Sequence, residues 1–245
     1  MASQLPLDFL PELDYQLIVS SRARRLSLKV LPGRGLVVTI PKRLARRHVP
    51  DFVEKNRVWI ETALADLERQ TPLRYRQWPP ETLTLPAIGQ EIQICFDSRN
   101  GQETRSRATS SVAAVITACP GNKAAVATEL AAYLKRLALD FLPARLDQLA
   151  TLHGLDYRRV QIRGQRTRWG SCSSSGTISL NYKLMFLSTE LVDYVLLHEL
   201  AHTRHLDHSP AFWRQLSGMH PGARVLDRQL NEAGREVPPW LELAN

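Results

Sequence analysis

Four of the seven histidines in this 245-residue chain, His198, His202, His205 and His208, stand within eleven positions. The first two belong to His198-Glu199-Leu200-Ala201-His202, an H-E-x-x-H pattern whose chemistry presupposes a helix. Residues i and i+4 lie on one helical face a turn apart, so two imidazoles there can converge on one ion. Glu199 lies about 100° round the axis at 3.6 residues per turn, where it flanks the ion without being obliged to ligate it. The spacing predicts a helix from Glu190 to about His205, with Ser188 or Thr189 as N-cap and Glu190 complementing the helix dipole. A second helix opens at Ser209-Pro210, where serine suits the N-cap and proline the first helical position.

A tetrahedral catalytic zinc takes three protein ligands and keeps one position open. His205 shares the face of His198, but along a straight helix it stands about 10 Å away at 1.5 Å per residue, too far to share an ion with both earlier histidines. His208 is the better third ligand: if the helix ends near His205 and the chain reverses before Ser209, its side chain returns to the ion. Asp207 tolerates the turn this requires. The ligand spacing matches the metzincin signature H-E-x-x-H-x-x-G-x-x-H, but His205 occupies the glycine position, which disfavours a true metzincin. His205 is expected to support a ligand or to face solvent. Leu191, Tyr194, Val195 and Leu197 make the helix otherwise apolar, so two histidines and a glutamate on it are costly unless something satisfies them.

The rest of the chain reads as α+β. Leu26 to Val30 and Leu36 to Ile40 flank Pro32-Gly33-Arg34-Gly35, a β-hairpin pattern inside a strand-favouring stretch from Tyr15 to Ile40. Apolar residues recur at helical spacing from Val49 to Gln70. Thr82 to Leu85, Glu91 to Phe96 and Val112 to Ala118 read as strands, with a polar loop from Ser98 to Ser111. At Gly121-Asn122 the texture changes, and Lys123 to Leu152 reads as helix with Pro143 a kink or break. Val160 to Arg163, Thr167 to Cys172 and Thr177 to Leu180 are short strands. These patterns divide the chain into a β-rich N-terminal region with one helix, 1–120, and a mainly helical region with a small sheet that carries the histidines, 121–245.

Composition excludes more than it identifies. Apolar residues make up 44% and charged residues 23%, which argues against wholesale disorder. The net charge of +8 permits contact with nucleic acid or phosphorylated ligands without demonstrating either. Residues 1–120 carry 17 basic and 12 acidic side chains and residues 121–245 carry 15 and 12, so the excess is not a basic tail. Cys95, Cys119 and Cys172 are an odd number at wide spacing, which fits a reducing cytoplasm. Pro6, Asp8, Pro11 and Glu12 interrupt any apolar run near the N-terminus, so no secretion signal is expected. No stretch is apolar enough to predict a membrane span.

Beyond the histidines, Arg168-Trp169-Gly170-Ser171-Cys172-Ser173, then Leu180-Asn181-Tyr182, Tyr194-Val195, and His208-Ser209 followed by Phe212-Trp213 resemble the YgjP-like metallopeptidase-domain family, relatives of the SprT-like and WLM zincins. Arg22 to Val30 and Val37 to Pro41 resemble that family's β-rich leader, so the likeness spans roughly residues 15 to 230. It implies a zincin core, one zinc ion held by His198, His202 and His208, and Glu199 as general base, in agreement with the geometric reading. Asp207 departs from the asparagine of many relatives, and the 98–111 loop has no recognisable counterpart. Trp169, Phe212 and Trp213 read as core more than as site.

The expected chemistry is hydrolysis of a peptide or protein: Glu199 takes a proton from water acidified by zinc and returns it to the leaving amine. Tyr182, Tyr194, Arg168 and His205 are candidates to stabilise the oxyanion. A nucleoside-triphosphate pyrophosphohydrolase is the second reading, although neither a glycine-rich phosphate loop nor a magnesium-type carboxylate cluster is present. A DNA-associated protease of the SprT-like kind is the third, supported by charge alone.

Overall fold

Helices and small sheets alternate as an α+β fold in the computed structural model, which describes residues 13–96 and 113–244. The chain groups into two units, Met1–Thr71 and Pro72–Asn245. In the first, strands β1 (Tyr15–Ser20), β2 (Ser27–Leu31) and β3 (Gly35–Pro41) form a sheet in the order β1-β3-β2. β2 and β3 are the expected hairpin, while β1 pairs with β3 in parallel, Tyr15 opposite Leu36 and Ser20 opposite Pro41. Central β3 buries Leu36, Val37, Val38 and Ile40.

The helix expected over 49–70 is two helices, α1 (Val49–Lys55) and α2 (Arg57–Gln70), which supply Val49, Val53 and Ile60 to the core of this unit. They part at Asn56, whose φ of −109° and ψ of 11° leave the helical region. Its side-chain amide donates to the Phe52 carbonyl at 2.7 Å, an example of an asparagine offering the backbone an alternative partner.

In the second unit, β4 (Thr82–Leu85), β5 (Gln90–Phe96) and β6 (Ala113–Ile116) form a sheet in that order. Leu83, Leu85, Ile92 and Ile94 point into the same core as the long helix α3 (Lys123–His153). The parting after Thr71 therefore falls well before the change of texture near residue 121, because strand texture does not say which core the inward side chains join. α3 runs through Pro143 without interruption. Leu134, Ala138, Leu142 and Leu146, at four-residue intervals, are fully buried, and packing along that stripe outweighs the hydrogen bond the proline cannot make. Asn122 caps the start by accepting from the Ala125 amide, and Gly154 closes the end at a φ of 60°.

The remaining chain builds the site. β7 (Arg159–Arg163), β8 (Gly170–Cys172) and β9 (Thr177–Asn181) make a sheet with β9 central, so β8 is an edge strand. Helices α4 (Thr189–Ala201), α5 (Pro210–Met219) and α6 (Ala223–Glu232) follow. The loop expected from Ser98 to Ser111 and the segment before Leu13 lie outside the described residues. Cys95, Cys119 and Cys172 are free. Among the described residues no helix is long and apolar enough to cross a membrane.

Candidate metal centre

Ser188 caps α4, its hydroxyl accepting from the Leu191 amide at 3.3 Å. The helix sinks into the core through Val192, Val195, Leu196, Leu197, Leu200 and Ala201, and that burial fixes the direction in which its polar face looks. It stops at Ala201, about a turn earlier than the spacing predicts, with His202 as C-cap. The chain then tightens: the Thr203 amide donates to the Leu200 carbonyl, and the Arg204 and His205 amides both donate to the Ala201 carbonyl. Ser209 restarts it as α5, its hydroxyl accepting from the Phe212 amide and its own amide donating to Asp207 Oδ1. This short reversal returns His208 to the helix it left.

The Nε2 atom of His198 lies 3.2 Å from that of His202 and 3.1 Å from that of His208. The three ligand atoms all fall within 4.8 Å of one another, a group able to hold a metal ion. Two ligands of a tetrahedral zinc, each about 2.05 Å from the metal, are roughly 3.3 Å apart, so the spacing fits. The outer nitrogens settle what the inner ones carry. His202 Nδ1 lies 2.8 Å from the His205 carbonyl; a carbonyl only accepts, so this nitrogen bears the proton and Nε2 turns its lone pair inward. On the other side, Tyr194 Oη donates to Asp227 Oδ1 at 2.8 Å and stands 3.4 Å from His198 Nδ1, leaving the phenol oxygen free to accept from that ring. Inward lone pairs at this separation suit a cation and little else.

Electrostatics agree. Burial first, then the neighbouring His202 and His208, lowers the pKa of His198 to about 4, so the ring stays neutral, as a ligand must be. Burial also lowers His202. Phe212, fully buried, forms the floor, its ring centroid 4.6 Å from His202, 5.0 Å from His198 and 4.9 Å from His208. Phe212 is thus core, as its apolar character implies, and also the surface against which all three imidazoles are seated.

Glu199 is 5% exposed and its Oε2 has no hydrogen-bond partner among the described residues. Burial raises its carboxyl to about 8, against the pull of Arg168. It fits because Gly170 on edge strand β8 has no side chain: a Cβ there would lie 2.5 Å from Glu199 Oε1. The approach to β8 is anchored by buried Asn181, whose amide donates to the carbonyls of Gln165 and Arg168 at 2.8 and 3.0 Å.

Of the four candidates for an oxyanion donor, Tyr194 is placed behind His198 with its proton committed to Asp227, so it does not face the inner side of the imidazole set. Tyr182 is buried, with its pKa raised to about 12 by burial and by Glu242. Arg168 is exposed and close enough to Glu199 to act on its ionisation. His205, expected either to support a ligand or to face solvent, meets His202 through its main-chain oxygen. Asp227 is the site residue that sequence reasoning missed. Only the four-residue spacing from Tyr194 to His198 hints at a partner behind the ring, and nothing local links either residue to α6.

A family model described as "YgjP-like, metallopeptidase domain" matches residues 24–233. Among solved structures, the metallopeptidase zymogen abylysin of Pyrococcus abyssi is 29% identical, with a TM-score of 0.35, and the match covers 39% of this chain and 97% of that one. The zymogen jannalysin of Methanocaldococcus jannaschii is 17% identical, with a TM-score of 0.34, over 37% of this chain and 94% of that one. No curated protein matches.

Proposed function

The chain belongs to the YgjP-like metallopeptidase-domain family, and from that premise we propose that it is a zinc-dependent peptidase in which His198, His202 and His208 hold one ion and Glu199 is the general base. The observation that carries this reading is the convergence of three histidine nitrogens within 4.8 Å of one another, those of His202 and His208 lying 3.2 and 3.1 Å from that of His198, on a helix that also carries a buried carboxylate oxygen with no hydrogen-bond partner among the described residues. Bound by three imidazoles, zinc supplies Lewis acidity, polarising a carbonyl and acidifying water.

The chain's own groups do the rest. Asp227, through Tyr194, and the His205 carbonyl hold the outer nitrogens of His198 and His202 and so fix both rings. Glu199, whose ionised form a bound cation would favour over burial, would accept a proton from water at Oε2 and return it to the leaving amine. The test is to load wild type and Glu199→Gln with zinc and follow cleavage of a denatured protein. The expected result is equal zinc content with hydrolysis lost in the variant; equal activity in both overturns the mechanism. Pyrophosphate release from nucleoside triphosphates by the same wild-type preparation, without proteolysis, would favour the nucleotide reading instead.

A further inference from the structure

Counting charge by half-chains hides a local imbalance. Between Tyr15 and Pro50 there are nine arginines and lysines and no aspartate or glutamate. Strand pairing gathers most of them. Because β1 and β3 run parallel, with Ser20 opposite Pro41, both deliver the chain to the same end of the sheet, about 5 Å apart at the spacing of neighbouring strands. The segment after β1 carries Arg22, Arg24 and Arg25, all exposed. The segment after β3 carries Lys42, Arg43, Arg46 and Arg47, also exposed.

Both segments are built rather than loose. The Lys42 amide donates to the Ser20 carbonyl at 3.2 Å, tying one to the other. The Ser20 hydroxyl accepts from the amides of Arg22 and Ala23, each at 3.3 Å. The Leu44 amide donates to the Pro41 carbonyl at 2.9 Å, ahead of a single 3-10 turn over Arg46–His48. None of the seven cations is in an ion pair with a described residue. Asp14 precedes β1 and so belongs to the opposite end, and Asp51 is the first carboxylate beyond Arg47.

Seven like charges held together repel one another and attract a polyanion. We propose that this end of the N-terminal sheet binds the phosphodiester backbone of a nucleic acid. Arginine outnumbers lysine six to one among the seven, and the planar guanidinium engages phosphate bidentately where an ammonium acts as a point charge. An anionic membrane fits less well. The large apolar residues of the two segments, Leu26 and Leu44, pack against the unit's own core, which leaves none to enter lipid. Contacts of this kind follow the backbone and carry no sequence preference. This end of the sheet shares no residue with the histidine site.

The experiment uses the full chain with a labelled short duplex DNA and a single-stranded RNA, titrated across a range of salt, alongside anionic phospholipid vesicles. Wild type is expected to bind nucleic acid at low salt, with a log–log salt slope of about −0.9 per phosphate on duplex or −0.7 on single strands. The combined variant Arg24→Ala, Arg25→Ala, Arg46→Ala and Arg47→Ala is expected to bind at least tenfold more weakly, its duplex slope smaller by about three to four. Arginine-to-lysine changes at the same four positions keep the slope, which separates lost charge from lost folding. Arg158→Ala, Arg159→Ala and Arg163→Ala together leave binding within about twofold. The proposal is overturned if wild type binds neither nucleic acid at low salt, prefers the vesicles to both, or loses no affinity in the alanine variant. Proteolysis is measured separately, so either property can fail while the other stands.

Discussion

Gly170 and Glu199 occupy space that one extra carbon would contest: a Cβ at position 170 would lie 2.5 Å from Oε1, 2.8 Å from Cγ and 2.9 Å from Cδ of the glutamate. Strand β8 and helix α4 meet there so closely that the whole carboxyl end of Glu199 would have to move.

Gly170→Ala is therefore expected to keep zinc and lose catalysis. A displacement of about 1 Å at a reacting group costs on the order of 100-fold in rate, so kcat/KM should fall by about that factor with metal content unchanged. Full activity in the alanine variant would falsify the placement of Glu199 as base.

Tyr194→Phe removes the oxygen that can accept from His198 Nδ1, and Asp227→Asn alters the group that orients it. Loss of such outer partners typically costs 10- to 100-fold in metal affinity or activity. Chelator competition should show zinc affinity falling within that range for both variants; wild-type affinity in both would mean that the phenol and carboxylate only pack.

His208 enters from beyond the end of α4, and its ring nitrogen lies as close to His198 as that of His202 does. His208→Ala should weaken zinc binding by more than either outer-partner variant, while the far-ultraviolet circular dichroism stays unchanged because the side chain is exposed. Zinc retained at wild-type affinity would remove it from the ligand set.

Metal removal should leave a folded protein. Most of α4 is anchored by buried apolar side chains, so the helix does not depend on an ion to form. Zinc at about 100 times its dissociation constant adds roughly 2.7 kcal/mol, which for a unit of this size raises Tm by about 5 to 10 °C. Thermal scans with and without chelator give this difference directly; an unfolded chelated protein would make the metal structural.

The parts legible in the sequence were those written within a few residues of one another. The i, i+4 histidines, the Ser188 and Ser209 caps and the β2–β3 hairpin are local patterns, and each appears in place. Where α4 would end was less legible, since Thr203, Arg204 and His205 carry no breaker; the end is set by bonds back to Leu200 and Ala201. Asn56 was readable in kind but not in effect, because an asparagine within a helical pattern breaks it only if its side chain finds a carbonyl, here that of Phe52. Asp227 behind Tyr194 and the pairing of β1 with β3 were not legible at all. Both depend on elements distant in sequence meeting, and no spacing rule reaches that far.

The support given to His202 by residue 205 comes from an atom every amino acid carries. Position 205 is therefore free to drift: the site does not register which side chain stands there, provided the backbone keeps its path. Length is the opposite case. The five residues between His202 and His208 form a turn closed at both ends, and inserting or deleting one would swing His208 away from its partners. Related chains should accordingly vary in letters along this stretch far more readily than in number.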